Sequence, residues 1–140
     1  MKLDLVTPEG MKVKDLEVTE VTIPALLGEM GVLPGHEAMV AALGIGPMVV
    51  QTQQGTEVFA LSNGFLEVFE DRVRVLAEFC ERANEIDVER AQAKLAEATR
   101  RLAEIAPVEG EAYNVVLASF KKAETRVKVA AMAPRPTPTS

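Results

Sequence analysis

The spacing of apolar residues changes abruptly near residue 86, and this change limits the folds that the chain can adopt. Before it, apolar and polar residues alternate, which is typical of half-buried β-strands. After it, apolar residues recur every three or four positions, as they do on one face of a helix. The sequence therefore predicts an α+β protein with a β-domain over residues 1–85 and a helical domain over residues 86–131.

The β-domain is predicted to consist of short strands separated by turns. The clearest turn signals are Pro8-Glu9-Gly10, Gln51-Thr52-Gln53-Gln54-Gly55, Ser62-Asn63-Gly64 and Glu70-Asp71. Short strands at such close spacing are typical of an antiparallel sandwich or barrel. The alternation slips between Val18 and Val21, which predicts either a β-bulge or a strand that changes sheets.

The helical domain contains two apolar seams with the same spacing. They comprise Val88, Ala91, Leu95, Ala98, Leu102 and Ile105, and then Tyr113, Val116, Phe120, Ala123, Val127 and Ala130. Asp87 is a good N-cap for the first helix, and the turn bracketed by Pro107 and Gly110 predicts an antiparallel hairpin. Because alanine buries little area, we expect weak pairing and a hairpin that can detach from the β-domain. Residues 132–140 are rich in proline and predict a disordered tail.

Charge is distributed unevenly along the chain, whose net charge is −6. Residues 1–86 carry 14 acidic and six basic side chains, whereas residues 87–140 carry seven acidic and nine basic ones. The acidic first part argues against nucleic acid as a partner, because phosphates require clustered Lys and Arg. The basic residues of the second helix predict either a solvated face or a surface for an acidic protein or phosphates. These residues are Lys121, Lys122, Arg126 and Lys128.

The sequence predicts a protein that contacts a membrane only through partners. It begins with a strand-like pattern and shows no signal peptide. The longest apolar stretch, residues 38–50, is interrupted by Gly44, Gly46 and Pro47 and is shorter than the ~20 residues of a membrane helix. Cys80 is the single cysteine, so no disulfide framework is expected and Cys80 is interpreted as a small core residue.

No catalytic arrangement is apparent, and no cofactor is expected to be required. His36 is the only histidine, and neither a Ser-His-Asp nor a Cys-His arrangement is suggested. The glycines around it do not match the patterns of phosphate-binding loops. His36 is therefore interpreted as a turn residue or a partner contact. The surrounding residues 28–36 carry Met30, Val32 and Leu33, which predicts either a docking surface or a loop folded over one end of the sandwich.

Several segments together resemble the epsilon subunit of F-type ATP synthases. These segments are Thr7-Pro8-Glu9-Gly10, Glu29-Met30-Gly31-Val32-Leu33-Pro34-Gly35-His36, Ser62-Asn63-Gly64-Phe65-Leu66-Glu67-Val68, Val75-Leu76-Ala77 and Glu81-Arg82-Ala83. The resemblance extends to about Ala131. Its most specific parts are the Gly-x-Leu-Pro-Gly-His turn and the Ser-x-Gly-Phe-Leu-Glu-Val strand.

This resemblance implies a β-sandwich of about ten strands followed by an antiparallel two-helix hairpin. It implies a non-catalytic rotor subunit of a proton-translocating ATP synthase, which couples the gamma subunit to the ring of c subunits. The matching docking residues are Glu29, Met30, Gly31, Val32 and His36. The hairpin would either fold against the sandwich or extend along gamma, and the extended form would inhibit ATP hydrolysis. The expected location is the cytoplasmic face of the bacterial inner membrane, as a peripheral part of the complex.

The resemblance also gives the basic second helix a partner. In the inhibited state, Lys121, Lys122, Arg126 and Lys128 would meet an acidic segment of the beta subunit. This implication favours an interaction surface over the simpler interpretation of a solvated helix face.

The segment Ile86-Asp87-Val88-Glu89-Arg90-Ala91 resembles the I-D-x-x-R-A element with which some bacterial members bind ATP as a regulatory ligand. The implied site in the folded hairpin comprises Glu81, Ile86, Asp87, Arg90, Ala91, Lys122 and Arg126. The family's arginine pair appears here as Lys122 and Arg126, and lysine does not bind phosphate in a bidentate manner. The alternative is purely structural: Asp87 caps the helix, and Arg90 pairs with Asp87 or with Glu97.

Two other functions fit the sequence. The chain could be a stand-alone ATP-sensing regulatory protein whose hairpin closes over the nucleotide. It could also be a general adaptor with a coiled-coil arm. Binding of ATP by the isolated protein would favour the first, and recovery without any ATP synthase subunit would favour the second.

Overall fold

The computed structural model describes residues 1–132, and its elements follow the predicted change of period. The strands are β1 (Lys2–Thr7), β2 (Gly10–Glu17), β3 (Glu20–Ala25), β4 (Gly28–Val32), β5 (Met39–Thr52), β6 (Gly55–Phe69) and β7 (Arg72–Arg82). The helices are α1 (Val88–Glu104) and α2 (Glu111–Met132), and a 3₁₀ turn at Ala83–Glu85 precedes α1. The α+β class is confirmed, but the described residues form seven strands rather than about ten.

The smaller number of strands arises because three of them are long. β5, β6 and β7 contain 14, 15 and 11 residues. The turn predicted at Ser62-Asn63-Gly64 is wrong, since β6 runs through this segment. Asn63 and Gly64 adopt positive φ values of 49° and 142° there, so the strand changes direction without ending. Residues 28–36 are not all loop, because Gly28–Val32 form β4.

The seven strands form one sheet that folds over to make the predicted sandwich. Their order is β2-β1-β7-β6-β5-β3-β4, with β1 and β7 parallel and every other neighbouring pair antiparallel. Side chains from strands far apart in this order, such as Leu5 of β1 and Ile23 of β3, belong to one buried cluster. Between Glu17 and Glu20 the chain crosses from one end of the order to the other. The slip in alternation therefore marks the connection between two separate strands, and neither a bulge nor one strand that changes sheets.

The interior of the sandwich is apolar and contains the single cysteine. Cys80 lies in the core cluster as predicted, and its burial raises the pKa of the thiol to about 12.

At one edge of the sandwich, Asp4 accepts hydrogen bonds from the Asp15 backbone N–H at 2.9 Å and from Arg72 Nη1 at 2.8 Å. Burial alone would raise the pKa of Asp4, but these donors outweigh it and lower the pKa. The cluster joins β1, β2 and β7.

The helices form an antiparallel hairpin, and most residues of the predicted seams lie on them buried or half-buried. Val88 is instead 45% exposed, Ile105 follows the end of α1, and the fully buried Val129 of α2 was not part of the predicted seam. The connection spans residues 105–110, with a 3₁₀ turn at Pro107–Glu109 and Gly110 at φ +61°. α2 includes Met132, which the sequence analysis assigned to the tail. A proline strongly disfavours a helical conformation only for the residue directly before it, so Pro134 does not prevent Met132 from being helical. Residues 133–140 of the predicted tail lie outside the described residues. Within residues 1–132, neither helix combines the length and the apolar character needed to cross a membrane.

Gly64 generates a first prediction about stability. A Cβ atom at this position would overlap the backbone carbonyl of Leu76 on β7, and the φ of +142° is itself unfavourable for other residues. We expect Gly64→Ala to lower the free energy of unfolding by about 4 kcal/mol, as measured by urea denaturation. Gly31→Ala is the matched control, because its Cβ would meet only Glu20 Oε1 at 3.8 Å. Equal stability of the two variants would contradict the close approach of β6 and β7.

Candidate functional site

Helix α1 begins at the predicted position, directly after Asp87. The side chain of Asp87 accepts a hydrogen bond from the backbone N–H of Arg90 at 3.2 Å, which satisfies one of the free donors at the start of α1. Asp87 is therefore the N-cap of α1. Ile86 and Ala91, on either side of it, are buried. The cap sets where the helix starts, and its buried neighbours hold this end of α1 against the sandwich.

The hairpin is folded against the outer face of β5 and β6. A second apolar cluster, separate from the sandwich core, joins these strands to the hairpin. It contains Val58, Ala60, Ala83, Ile86, Ala91 and Val129, and Val49, Val127 and Ala130 pack around it. Val129 of α2 is fully buried and is the largest contribution of the hairpin to this cluster. The contact is apolar but small, because most of its members are alanine or valine.

One ion pair accompanies this apolar contact. Arg126 Nε donates to Glu81 Oε1 at 2.8 Å, and Arg126 Nη2 donates to Glu81 Oε2 at 3.4 Å. The two side chains are only 15% and 19% exposed. Such a two-point contact between a guanidinium and a carboxylate is geometrically specific. It joins β7 to α2.

A cleft of about 500 Å³ lies between the two helices and the end of β7. Basic side chains dominate its lining, namely Arg90, Lys94, Arg101, Lys122 and Arg126, while Glu81 and Glu97 are the acidic members. Phe79, Ala98, Ser119 and Ala123 complete it. A concave site with several cations and an aromatic side chain is suited to a phosphorylated ligand.

The structure brings together some of the predicted ATP-binding residues but not others. Glu81, Arg90, Lys122 and Arg126 all line the cleft. Ile86 and Ala91 do not, because their side chains pack into the apolar cluster beneath the hairpin. Asp87 caps α1 and is also absent from the lining. The structural alternative for Asp87 is thus confirmed. The pairing of the Arg90 side chain with Asp87 or Glu97 is wrong for this conformation, since Arg90 forms no ion pair within residues 1–132.

The predicted basic face of α2 is divided in the folded hairpin. Lys121, Lys122 and Lys128 are exposed, whereas Arg126 is turned toward the sandwich and held by Glu81. The four cations therefore do not form one accessible surface in this conformation. The four side chains would be accessible together only after α2 leaves the sandwich.

The predicted docking loop, residues 29–36, is partly exposed. Glu29 and Gly31 lie on the exposed side of the edge strand β4, and His36 is exposed, with Nδ1 2.9 Å from the carbonyl oxygen of Glu37. Val32 corrects the prediction, because its side chain is fully buried in the core and supports the loop from below. Met30 also packs against the core and is only partly accessible. Alternation along β4 explains both, since every second residue faces inward.

Sequence reasoning missed an exposed apolar strip on the other outer face of the sandwich. Its members are Leu26, Leu27, Val40, Ala42, Phe65 and Leu76, all exposed. Ala42 is opposite Phe65 on β6, and Phe65 is opposite Leu76 on β7. The N–H of Leu26 donates to the Ala42 carbonyl at 2.9 Å, which places the Leu26–Leu27 turn beside the strand residues of the strip. Phe65 is 55% exposed and Leu27 fully so. The adjacent apolar pair Phe65-Leu66 was the available signal, because only one of the two can face the core.

The chain is similar to known proteins over both the sandwich and the hairpin. The sequence profile of the family described as "ATP synthase, Delta/Epsilon chain, beta-sandwich domain" matches residues 1–83. The ATP synthase epsilon chain of Solibacter usitatus is 41% identical over 93% of this chain and 95% of the relative. That of Geobacter sulfurreducens is 42% identical over 96% of both chains. That of Anoxybacillus flavithermus is 49% identical over 73% of this chain and 75% of the relative.

Chains in solved structures also resemble the fold. A chain in the structure of the Euglena gracilis mitochondrial ATP synthase, containing OSCP, F1 and the c-ring, superposes with a TM-score of 0.79 at 27% identity. The match covers 95% of this chain and 81% of that one. A chain of the central stalk and c-ring of the Tetrahymena thermophila enzyme gives a TM-score of 0.52 at 15% identity, over 62% and 69% of the two chains. This second likeness concerns the fold alone.

Proposed function

The chain belongs to the family of ATP synthase epsilon chains, and we propose that it is a non-catalytic subunit of the rotor of this complex. In this role it couples the gamma subunit to the c ring, and its hairpin inhibits ATP hydrolysis when extended. It is held at the cytoplasmic face of the bacterial cell membrane through these partners. The single histidine is exposed and the single cysteine is buried with a raised pKa, which supports a binding role rather than chemistry.

The observation that carries the coupling role is the exposed apolar strip. An exposed apolar surface that crosses three strands is more typical of a protein interface than of a free surface. Charged residues border it, since Val40 is opposite Glu67, and Glu67 is opposite Arg74. An apolar centre with a polar rim is the usual anatomy of an interface core. We assign this strip to the gamma subunit.

The docking loop is assigned to the c ring. Residues 33–38 are exposed and lead directly into β5, which carries Val40 of the apolar strip. The backbone N–H of Gly35 donates to Asp71 Oδ1 at 3.4 Å, and the N–H of His36 donates to the Leu33 carbonyl at 3.1 Å. These bonds hold a rigid turn that displays Leu33 and His36. The loop and the strip are therefore close in the chain but present different chemistry to two partners.

A charge introduced into the apolar strip should abolish assembly with gamma. Phe65→Glu or Leu76→Glu would require a carboxylate to be buried in the interface, so we expect at least a roughly 100-fold weaker affinity for purified gamma subunit. Val108→Glu is the matched control, because Val108 is 91% exposed in the turn between the helices. The measurement is a titration by surface plasmon resonance, with circular dichroism to check folding. Unchanged affinity in a folded Phe65→Glu variant would refute the assignment of this strip.

The inhibitory role is supported by how the hairpin is attached. The sandwich core contains only residues between Leu3 and Cys80, so it is complete without the helices. The hairpin adds a small apolar cluster and one ion pair. A unit attached in this way can separate from the sandwich with little cost to the sandwich core. Its three exposed lysines and Arg126 would then be available to an acidic segment of the beta subunit.

Removal of the hairpin should separate assembly from inhibition. A chain ending at Ile86 retains the whole sandwich core, so we expect it to assemble on gamma as the full chain does. We also expect the reconstituted complex to hydrolyse ATP severalfold faster, because the inhibitory conformation no longer exists. The control is the full chain in the same complex at the same ATP concentration. Loss of assembly would show that the hairpin belongs to the docking unit, and unchanged hydrolysis would refute the inhibitory role.

A second candidate function, ATP binding that regulates the hairpin, rests on the cleft. The triphosphate would lie against four basic side chains of the cleft. Arg90, Lys94 and Arg101 belong to α1, and Lys122 belongs to α2. A ligand that touches both helices binds only the folded hairpin and shifts the population toward it. ATP is thus a regulatory ligand and not a required cofactor. The same site would serve a stand-alone ATP sensor, and reconstitution with gamma distinguishes the two roles.

Calorimetry of the isolated chain with Mg²⁺-free ATP tests this site. We expect measurable binding that weakens about tenfold in Arg90→Ala and in Lys122→Ala, because each removes a phosphate contact. Lys122→Arg should instead tighten binding, since a guanidinium can contact a phosphate at two points. Lys128→Ala is the control, because this exposed lysine does not line the cleft. The absence of any heat of binding at millimolar ATP would rule out this regulatory ligand.

A further inference from the structure

We propose that Glu81 is an internal latch that holds the hairpin closed by occupying the guanidinium of Arg126. Arg126 is the basic residue of α2 that the folded conformation withdraws from the surface. The latch therefore makes two contacts of Arg126 mutually exclusive, one with Glu81 and one with an acidic partner surface. This consequence for inhibition rests on the proposed function, whereas the closing of the hairpin itself does not.

The position of the pair suits a latch. Glu81 lies near the end of β7, just before the 3₁₀ turn that leads to α1, so it belongs to the sandwich and does not move with the hairpin. Arg126 lies on α2, three residues before Val129, so the two residues share one face of the helix. The ion pair and the buried valine thus form one contact patch, one part polar and the other apolar.

Within residues 1–132, this ion pair is the only one that joins a helix to a strand. Lys12 and Arg82 both pair with Glu85 of the 3₁₀ turn, which precedes the helices, and Arg100 pairs with Glu104 inside α1. The remaining attachment is the apolar cluster of alanine and valine side chains. Because both members of the pair are largely excluded from water, loss of one charge would leave the other poorly solvated in the closed state. The closed conformation is therefore sensitive to Glu81 in a way that an exposed ion pair would not be.

The latch also gives the closed state a stability that needs no nucleotide. Glu81 supplies the negative charge that Arg126 would otherwise take from a phosphate or an acidic protein segment. Opening of the hairpin releases Arg126 to solvent and to partners, and it leaves Glu81 exposed on the sandwich. An acidic partner then competes with Glu81 for Arg126 and draws the population toward the extended form.

Thiol labelling of the full chain without nucleotide measures opening directly. Val58 lies under α2 and is only 4% exposed, so a Val58→Cys thiol reacts with iodoacetamide when the hairpin detaches. The native Cys80 lies in the sandwich core and reports opening of the sandwich in the same sample. We expect Glu81→Gln to accelerate labelling at position 58 about tenfold while Cys80 labelling stays unchanged.

Two further variants make the result specific. Glu124→Gln is the matched control. It removes an exposed acidic side chain from α2, the helix that carries Arg126, and Glu124 forms no ion pair within residues 1–132. It should label at the original rate. The charge reversal Glu81→Arg combined with Arg126→Glu should restore slow labelling, because the pair is re-formed with opposite polarity. Faster labelling in Glu81→Gln that the reversal rescues supports the latch.

Other outcomes overturn the latch. If Glu81→Gln labels at the original rate at position 58, the ion pair does not hold the hairpin. If labelling of Cys80 rises equally, Glu81 stabilises the sandwich and not the closed hairpin. ATP hydrolysis by the reconstituted complex separates this proposal from the inhibitory role. Faster opening without stronger inhibition leaves the latch intact and refutes inhibition by the open hairpin.

Discussion

The fold depends on the bending of three long strands, which lets a single sheet supply both layers of a sandwich. β5, β6 and β7 each continue from one layer into the other, and at the bend Gly64 of β6 lies against the Leu76 carbonyl of β7. This bend brings Leu5 and Ile23, from strands on either side of β7-β6-β5 in the strand order, into one core. It also creates two outer faces that differ in what covers them. One is covered by the hairpin, and the other carries the exposed apolar strip.

The two outer faces differ in how strongly they must be covered. The face beneath α2 presents Val58 and Ala60, small residues that a helix rich in alanine can cover closely but with little buried area. The opposite face presents Phe65 and Leu76, whose larger exposed area favours a lasting interface. In the proposed function, the gamma subunit and the detachable hairpin therefore use opposite sides of one sandwich. Movement of the arm need not disturb the proposed contact with gamma, because the core between the two faces is complete without either.

Features that depend on neighbouring residues could be predicted from the sequence, and features that depend on strand pairing could not. The N-cap at Asp87 and the two helices are local features, and the structure contains them, although Val88 of the first seam is exposed. The orientation of Val32 and Phe65 depends on which face of a strand meets the core, and register alone decides this. The Ser62-Asn63-Gly64 segment carries a turn signal, but pairing with long neighbours on both sides keeps β6 continuous. The Glu81–Arg126 pair joins residues 45 positions apart, so no local pattern indicates it.

The cleft and the latch share Arg126, and this sharing limits what a nucleotide can do. While Glu81 holds Arg126, the free positive charge of the cleft comes from Arg90, Lys94, Arg101 and Lys122, partly offset by Glu97. A triphosphate bound there would therefore depend strongly on Lys122, which offers only a point charge where a guanidinium would make two contacts. A ligand that also captured Arg126 would have to displace Glu81 and would lose part of the stabilisation that closes the hairpin. With Glu81 as the proposed latch, the closed state would rely more on the chain's own carboxylate than on a bound nucleotide, and regulation would come chiefly from an acidic partner that competes with Glu81.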